Sequence, residues 1–180
     1  MEDLARGGFL AGILDLTTTE LADELVGGVL SAGPDRLEAA GRLGLPQVIA
    51  PGALDMVNFG PPETVPERFR GRLFYQHNPT VTLMRTTVEE NAELGRLIGE
   101  KLRQAAGPVT VLLPLAGVSA LDRDGQPFAD PAARDAFRRA LKSALGDQVR
   151  CLELDCHLND PQFAEIAARE LLRLIGAKGN

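Results

Sequence analysis

The sequence predicts an α/β domain: a mostly parallel sheet flanked by helices in a Rossmann-like, doubly wound, three-layer arrangement, with residues 1–180 as a single unit. Three observations carry this expectation. VTVLLPL, Val109 to Leu115, is an almost unbroken apolar run, as a central parallel strand buried on both faces requires. Strand-like and helix-like segments alternate through the last third of the chain. Helix-start signals punctuate that alternation: a capping box at Thr87-Val88-Glu89-Glu90, then Asp-Pro pairs at Asp130-Pro131 and Asp160-Pro161. About five strands are expected.

EDLARGGFLAG reads as the last turns of a helix, closed by glycine, that runs into a strand at Ile13 to Leu16. No clear start signal precedes that helix, so the chain reads as part of a longer protein. Asp15, Thr17, Thr18, Thr19 and Glu20 follow the strand, and ELADEL forms a short helix. Gly27 to Pro34, GGVLSAGP, is a loop. Pro34 suits a first helical position, and DRLEAAGRLG places Leu37, Ala40 and Leu43 at helical spacing, with Gly44 closing the helix. Gln47 to Ala50 is a buried strand. Pro51 to Pro66 is loop-rich, with a helical turn at ALDMV, and LFYQH is a short strand. Asn78-Pro79 imposes a turn or an extended conformation. The helix after Thr87 buries Leu94, Leu97, Ile98 and Leu102 on one face. RCLELD is the last strand, and FAEIAARELLRLI the last helix.

The 180 residues suffice for one domain with a substantial core, and 44% hydrophobic with 24% charged residues is ordinary globular composition. The net charge of −6, without runs of like charge, argues against nucleic acid and against an anionic membrane surface as partners. No apolar run approaches the roughly 20 residues that span a bilayer, and MEDLARGGFL lacks a signal-peptide pattern, so a cytoplasmic location is expected. Cys151 and Cys156 read as reduced thiols on opposite faces of one strand; their spacing, and that of the two histidines, gives no zinc pattern, and no haem site is expected.

In open parallel sheets ligands bind beyond the carboxyl ends of the strands. Thr18 and Thr19, then Asp55 and Asn58, then His77, Asn78 and Thr80 fall at such ends and are the ligand-binding candidates. Gly117 and Ser119 follow the central strand, and Asp155, His157 and Asn159 the last. Gly27, Gly28 and Ser31 complete the expected pocket: glycine lets backbone N–H groups approach an anion, and a helix start at Pro34 would add its dipole. Neither a phosphate-loop ending nor Gly-x-Gly-x-x-Gly is present, so turn-making and close packing compete as the reason for these glycines. His77 and Asp55 are the acid–base candidates, with a hydrogen bond to a neighbouring carbonyl as the competing role for His77. Asp155 is the metal candidate, against the commoner role of strand-end aspartates in capping loops and helices. Ser31, Ser119 and Ser143 lack the Gly-x-Ser-x-Gly setting of a nucleophile.

The segments LDLTTTELADELVGGVLSAGP, HNPTVTLMRTTVEEN, GPVTVLLPLAGVSALDRDGQPFADP and ELDCHLNDPQFAE make the wording specific. Through them the chain resembles the tomato mosaic virus resistance protein-like, ATP-binding family of two-lobe α/β proteins. The resemblance covers nearly the whole chain and implies the C-terminal lobe only. It further implies ATP with Mg2+ as a cofactor and a first lobe as a partner, encoded with this one or separately. Three functions compete. The first is a nucleotide- or phosphometabolite-binding lobe for a small phosphate-bearing ligand. The second is a hydrolase or lyase using His77 and an aspartate. The third is a protein-interaction domain without catalysis. A lobe parted from its partner exposes apolar surface, so a homo-oligomer is expected.

Overall fold

The central apolar run sits where the sequence predicts it, inside a four-stranded, all-parallel sheet. The computed structural model describes residues 1–178. Strands β1 (Ile13–Thr17), β2 (Gln47–Gly52), β6 (Val109–Pro114) and β7 (Arg150–Leu154) lie in the order β1-β2-β6-β7. Every residue of β2 and β6 is buried, because both faces of these inner strands are covered.

One face carries α2 (Thr19–Val26), α4 (Val88–Arg103) and α5 (Pro131–Leu145) over a core that includes Ile49, Leu94, Ile98, Val111, Leu113, Phe137 and Leu141. The other face is covered by α6 (Pro161–Lys178), whose Phe163, Ala167 and Leu174 pack on Val48, Ala50 and Leu112. The short helices α1 (Glu2–Arg6) and α3 (Ala39–Arg42) meet beside the β1 edge, where Ala5, Ile13 and Ala40 form a small cluster. Helices on both faces make the three layers. Thr87 caps α4 with the full reciprocal capping box, and Leu94, Ile98 and Leu102 are its buried stripe. Asp130 caps α5 by accepting from the Ala133 N–H at 3.0 Å.

The stretch between β2 and α4 departs most from expectation. It forms a second, antiparallel sheet of β3 (Met56–Phe59), β5 (Val81–Arg85) and β4 (Phe74–Asn78), in the order β3-β5-β4. ALDMV, expected as a helical turn, instead ends in the first residues of β3, because Val57 and Phe59 bury into the core while Asn58 takes polar partners. HNPT is the turn of a hairpin, and VTLMR, its return strand, pairs with both neighbours. The third expectation to change is the helix after Pro34. Residues 34–37 make turns, Leu37 lies at φ +79°, and regular helix covers only Ala39–Arg42.

Candidate functional site

The carboxyl ends of β2 and β6 open into a cavity of about 160 Å3 where the two sheets meet α5. Three aspartates (Asp55, Asp122, Asp135) and three arginines (Arg85, Arg134, Arg138) line it, together with Asn91 and the apolar Leu54, Leu113 and Phe137. Each comes from a different part of the scaffold. Ala53, in the left-handed region at φ +57°, turns the chain out of β2 and delivers Asp55 ahead of β3. Arg85 ends β5. Arg134 and Arg138 stand one turn apart on α5.

Arg85 is fixed by backbone oxygens. Its Nε donates to Phe128 O at 2.8 Å, and Nη1 donates to Asp55 O at 3.2 Å and to Thr86 Oγ1 at 2.7 Å. Thr86 Oγ1 also accepts from Asn91 Nδ2 and donates to Leu54 O, so the shell beneath the cavity is tied by one network. Asp122 is fully buried between two cations, with Arg134 Nη1 at 2.9 Å and Arg85 Nη2 at 3.6 Å. Burial still pushes its carboxyl up, against the pull of both arginines. Arg138 donates to Asp135 Oδ1 at 2.6 Å.

Asp55 differs from its neighbours. It is 1% exposed, and its Oδ2 accepts from Ser119 Oγ at 2.7 Å, whereas Oδ1 is buried without a partner. Burial pushes this carboxyl up to about 6, with Asp122 adding repulsion and the Ser119 hydrogen bond opposing both. The loop that presents Ser119 is held from behind. His157 Nδ1 accepts from the Asn159 N–H at 3.0 Å, which leaves Nε2–H to donate to Ser119 O at 2.8 Å. His157 therefore supports the loop; it does not line the cavity. Gly117, at φ +127°, lets the same loop pass the Asp122 carbonyl, which a Cβ would meet at 2.0 Å.

The sequence candidates fall into three groups. Asp55 lines the cavity. Thr18, Thr19, Gly27, Gly28 and Asn58 surround α2. Thr18 Oγ1 donates to Ala50 O at 3.2 Å, and Thr19 Oγ1 accepts from Asn58 Nδ2 at 3.1 Å. The buried Asp23 accepts from both nitrogens of Asn58, at 2.8 and 2.7 Å. A Cβ on Gly28 would lie 1.5 Å from Asp23 Oδ1, and Gly27, at φ +96°, is the C-cap of α2. These glycines thus follow the carbonyl end of a helix, and close packing explains Gly28. Ser31 donates to Glu24. The third group is His77, Asn78 and Thr80 on the exposed hairpin tip, where Asn78 Oδ1 accepts from Thr80 N at 2.9 Å. The second and third groups stand on opposite sides of the small sheet: Asn58 is on β3, His77 on β4, and β5 runs between. Asp155 is exposed. Asp15, in the middle of β1, is clamped by both Arg36 Nη atoms at 2.5 and 2.8 Å.

The sequence reading missed Arg85, Asn91, Asp122, Arg134 and Arg138. Arg85 carried a usable signal, a charged residue closing the apolar run VTLM. The others read as ordinary polar loop and helix positions.

A parallel sheet covered on both faces by helices, with a polar cavity at the carboxyl ends of its inner strands, defines a Rossmann-like α/β domain of three layers. Residues 1–175 match the model of the Uncharacterised protein family (UPF0261) C-terminal domain, and the chain belongs to that family. It is 53% identical to a UPF0261 protein of Clostridium tetani over 97% of its length, and 56% identical to one of Rhizobium meliloti over 93%. It is also 47% identical to the ToMV resistance protein Tm-1(GCR237) of Solanum lycopersicum, over 97% of its length. The matches cover 44%, 42% and 23% of those relatives, so the chain spans less than half of each. No helix among the described residues is long and apolar enough to cross a membrane.

Proposed function

We propose that this domain binds a small phosphate-bearing metabolite or a nucleotide in the Asp55–Arg134 cavity. It would act there with the part of its relatives that lies outside this chain. The observation that carries the reading is the convergence of Arg85, Arg134 and Arg138 at the carboxyl ends of β2 and β6, beside the first turns of α5. Guanidinium groups recognise phosphate and carboxylate oxygens in fixed geometry, and the helix N-terminus favours the same charge. The volume suits a phosphate group or a small metabolite, because sites for drug-sized ligands run to roughly 300–1,000 Å3. A nucleotide would place its phosphates inside and extend beyond the mouth, toward a second lobe.

The resemblance to an ATP-binding family supports the same class of ligand. Magnesium fits these residues poorly: among the described residues no group of three or more His, Cys, Asp or Glu side chains is placed to hold a metal. No step is therefore assigned to a metal. His77 and Asp55 lie on different parts of the fold, and His77 does not line the cavity. Acid–base chemistry on this scaffold would rest on Asp55.

The test is a thermal-shift screen with nucleotides, sugar phosphates and short phosphorylated acids, since a ligand of the native state raises the melting temperature by mass action. At least one phosphorylated compound should raise it, and Arg138→Ala should shrink the rise. If none acts on this chain or on a relative spanning both lobes, the reading fails.

A further inference from the structure

We infer that the apolar surface between β1 and α6, built by Phe9, Leu14, Leu171, Leu172 and Ile175, docks the stretch of chain that precedes this domain in its longer relatives. The inference rests on the reading above only in taking residues outside this chain to act with the domain. It concerns a different face from the cavity, so either can fail without the other.

The two faces of the parallel sheet are covered unequally. Three long helices lie on one, and α6 alone on the other. A helix is about 10–12 Å across with its side chains, and four strands spaced about 4.8 Å apart present a broader face than that. Leu16 reaches the cluster under α6, which puts Leu14 on the same side of β1, where it is 37% exposed. Among the described residues β1 pairs with β2 alone, so its outer edge carries no strand. The flanks of α6 also differ. At about 100° per residue, Ala164, Ala168, Leu171 and Ile175 fall on one side of the buried stripe of Phe163, Ala167 and Leu174. A Cβ on Gly12 would lie 2.9 Å from Leu171 Cδ1 and 3.1 Å from Ile175 Cδ1, so this side faces β1. No charged residue between Pro161 and Ile175 falls on it. The opposite side holds Arg169 and Arg173, paired with Glu165 at 3.5 Å and Glu170 at 2.9 Å, and Arg150 of β7 lies 3.8 Å from Glu170. Leu172 tops the helix at 69% exposed, and Phe9, three residues before Gly12, is 77% exposed. A charge-free apolar surface beside an ion-paired one has the composition of an interface core.

The relatives point to the occupant. The matches cover 44% of the Clostridium tetani protein and 42% of the Rhizobium meliloti protein, so more than half of each lies outside them. The matching family model is that of a C-terminal domain, which puts those residues ahead of α1. In such a protein the chain arrives at α1, at the border of this surface, and needs no long connection to reach it. A second copy of the domain would have no such tether. β1 also neighbours β2, whose carboxyl end opens into the cavity, so a body seated here stands beside the proposed ligand site.

Carbene footprinting with a photoactivated diazirine tests this, because it marks side chains according to their exposure. It is run on the 180-residue chain and on the full-length Rhizobium meliloti protein, each over a dilution series. In the 180-residue chain Phe9 and Leu172 should label heavily at every dilution. In the relative the matching positions should take up roughly fivefold less label, since core interface positions are fully buried. That protection should persist on dilution, as contacts within one chain do. Positions matching the Arg169 side of the helix should label alike in both proteins. Equal labelling of the Phe9 and Leu172 positions in both would overturn the inference. Protection that fades on dilution, in either protein, would overturn it too and assign the surface to a second copy. No substitution is needed, so misfolding cannot excuse a negative result. Neither outcome bears on the arginine cavity, which the thermal-shift screen tests separately.

Discussion

Two regions of this domain concentrate polar residues, and they differ in what those residues touch. Around the cavity, Asp55, Asp122, Arg85, Thr86 and Ser119 are buried, and a connected network satisfies nearly all of their polar atoms. The remaining unsatisfied oxygen, Asp55 Oδ1, is buried within that network. Around the Gly27–Ser31 loop and the His77–Thr80 turn, polar side chains are either exposed or consumed by local structure, as with Asn58 on Asp23 and Asn78 on Thr80. The contrast teaches that residue type alone does not mark a site. Both stretches are rich in Gly, Asn, Thr and Asp. Both bury a carboxyl at a desolvation cost, but Asp23 in the second is satisfied by Asn58, whereas in the first several ionisable groups of opposite charge are held together away from water.

The harshest way to break the cavity is through its loop. Gly117→Ala meets a backbone carbonyl at 2.0 Å and sits at φ +127°, a conformation that side chains disfavour. Overpacking and backbone strain together should cost roughly 4 kcal/mol, read as a lowered midpoint in urea denaturation. If this variant is as stable as the parent, the loop behind Ser119 is not the fixed support described above.

A slightly smaller effect concerns Asp55 and pH. Its folded pKa of about 6 lies above the ordinary value of 3.8, so the native state holds a proton that the unfolded chain releases. This contribution to stability is complete below about pH 4. It is lost as pH rises through about 6, a swing of roughly 3 kcal/mol. Asp55→Asn cannot titrate and should gain on the parent by about that amount between pH 4 and pH 7. Denaturation curves collected across that range measure the difference. Parallel curves would mean that the buried carboxyl ionises as freely as an exposed one, and the distinction between the two regions would collapse.

The parallel sheet was legible because its physics is local. An apolar run such as Val109–Leu113 has no other stable place, and capping boxes and Asp-Pro starts act within one turn. The small antiparallel sheet was legible only at LFYQH, which is β4 to within one residue at each end. MVNF is short and pairs only with residues more than 20 positions away, so nothing nearby in sequence declares it; VTLMR pairs with MVNF and also, across the HNPT turn, with β4. The Pro34 helix failed for a related reason: Arg36 is drawn to Asp15 across the fold, and Leu37 N donates to Glu2, which holds this stretch in turns. Asp55 was readable as a strand-end carboxylate. Its partners were not, because Arg85, Asp122 and Arg134 converge only after both sheets and α5 have packed.

The smallest expected effect falls on His77, and it sharpens the comparison most directly. His77 is exposed on β4, at the edge of the small sheet, beside a turn that Asn78 and Thr80 stabilise between themselves. His77→Ala removes no buried contact, so stability should move by less than about 0.5 kcal/mol. Sulfate affinity should stay within twofold of the parent, because the cavity arginines proposed to hold the anion lie in a different part of the fold. Calorimetry on the folded variant checks both points, with a thermal melt as control. A drop of tenfold or more in affinity at unchanged stability would place the hairpin tip against the ligand. The glycine loop and the hairpin would then belong to the binding surface as the sequence suggested, and burial would have been the wrong criterion for choosing between the two regions.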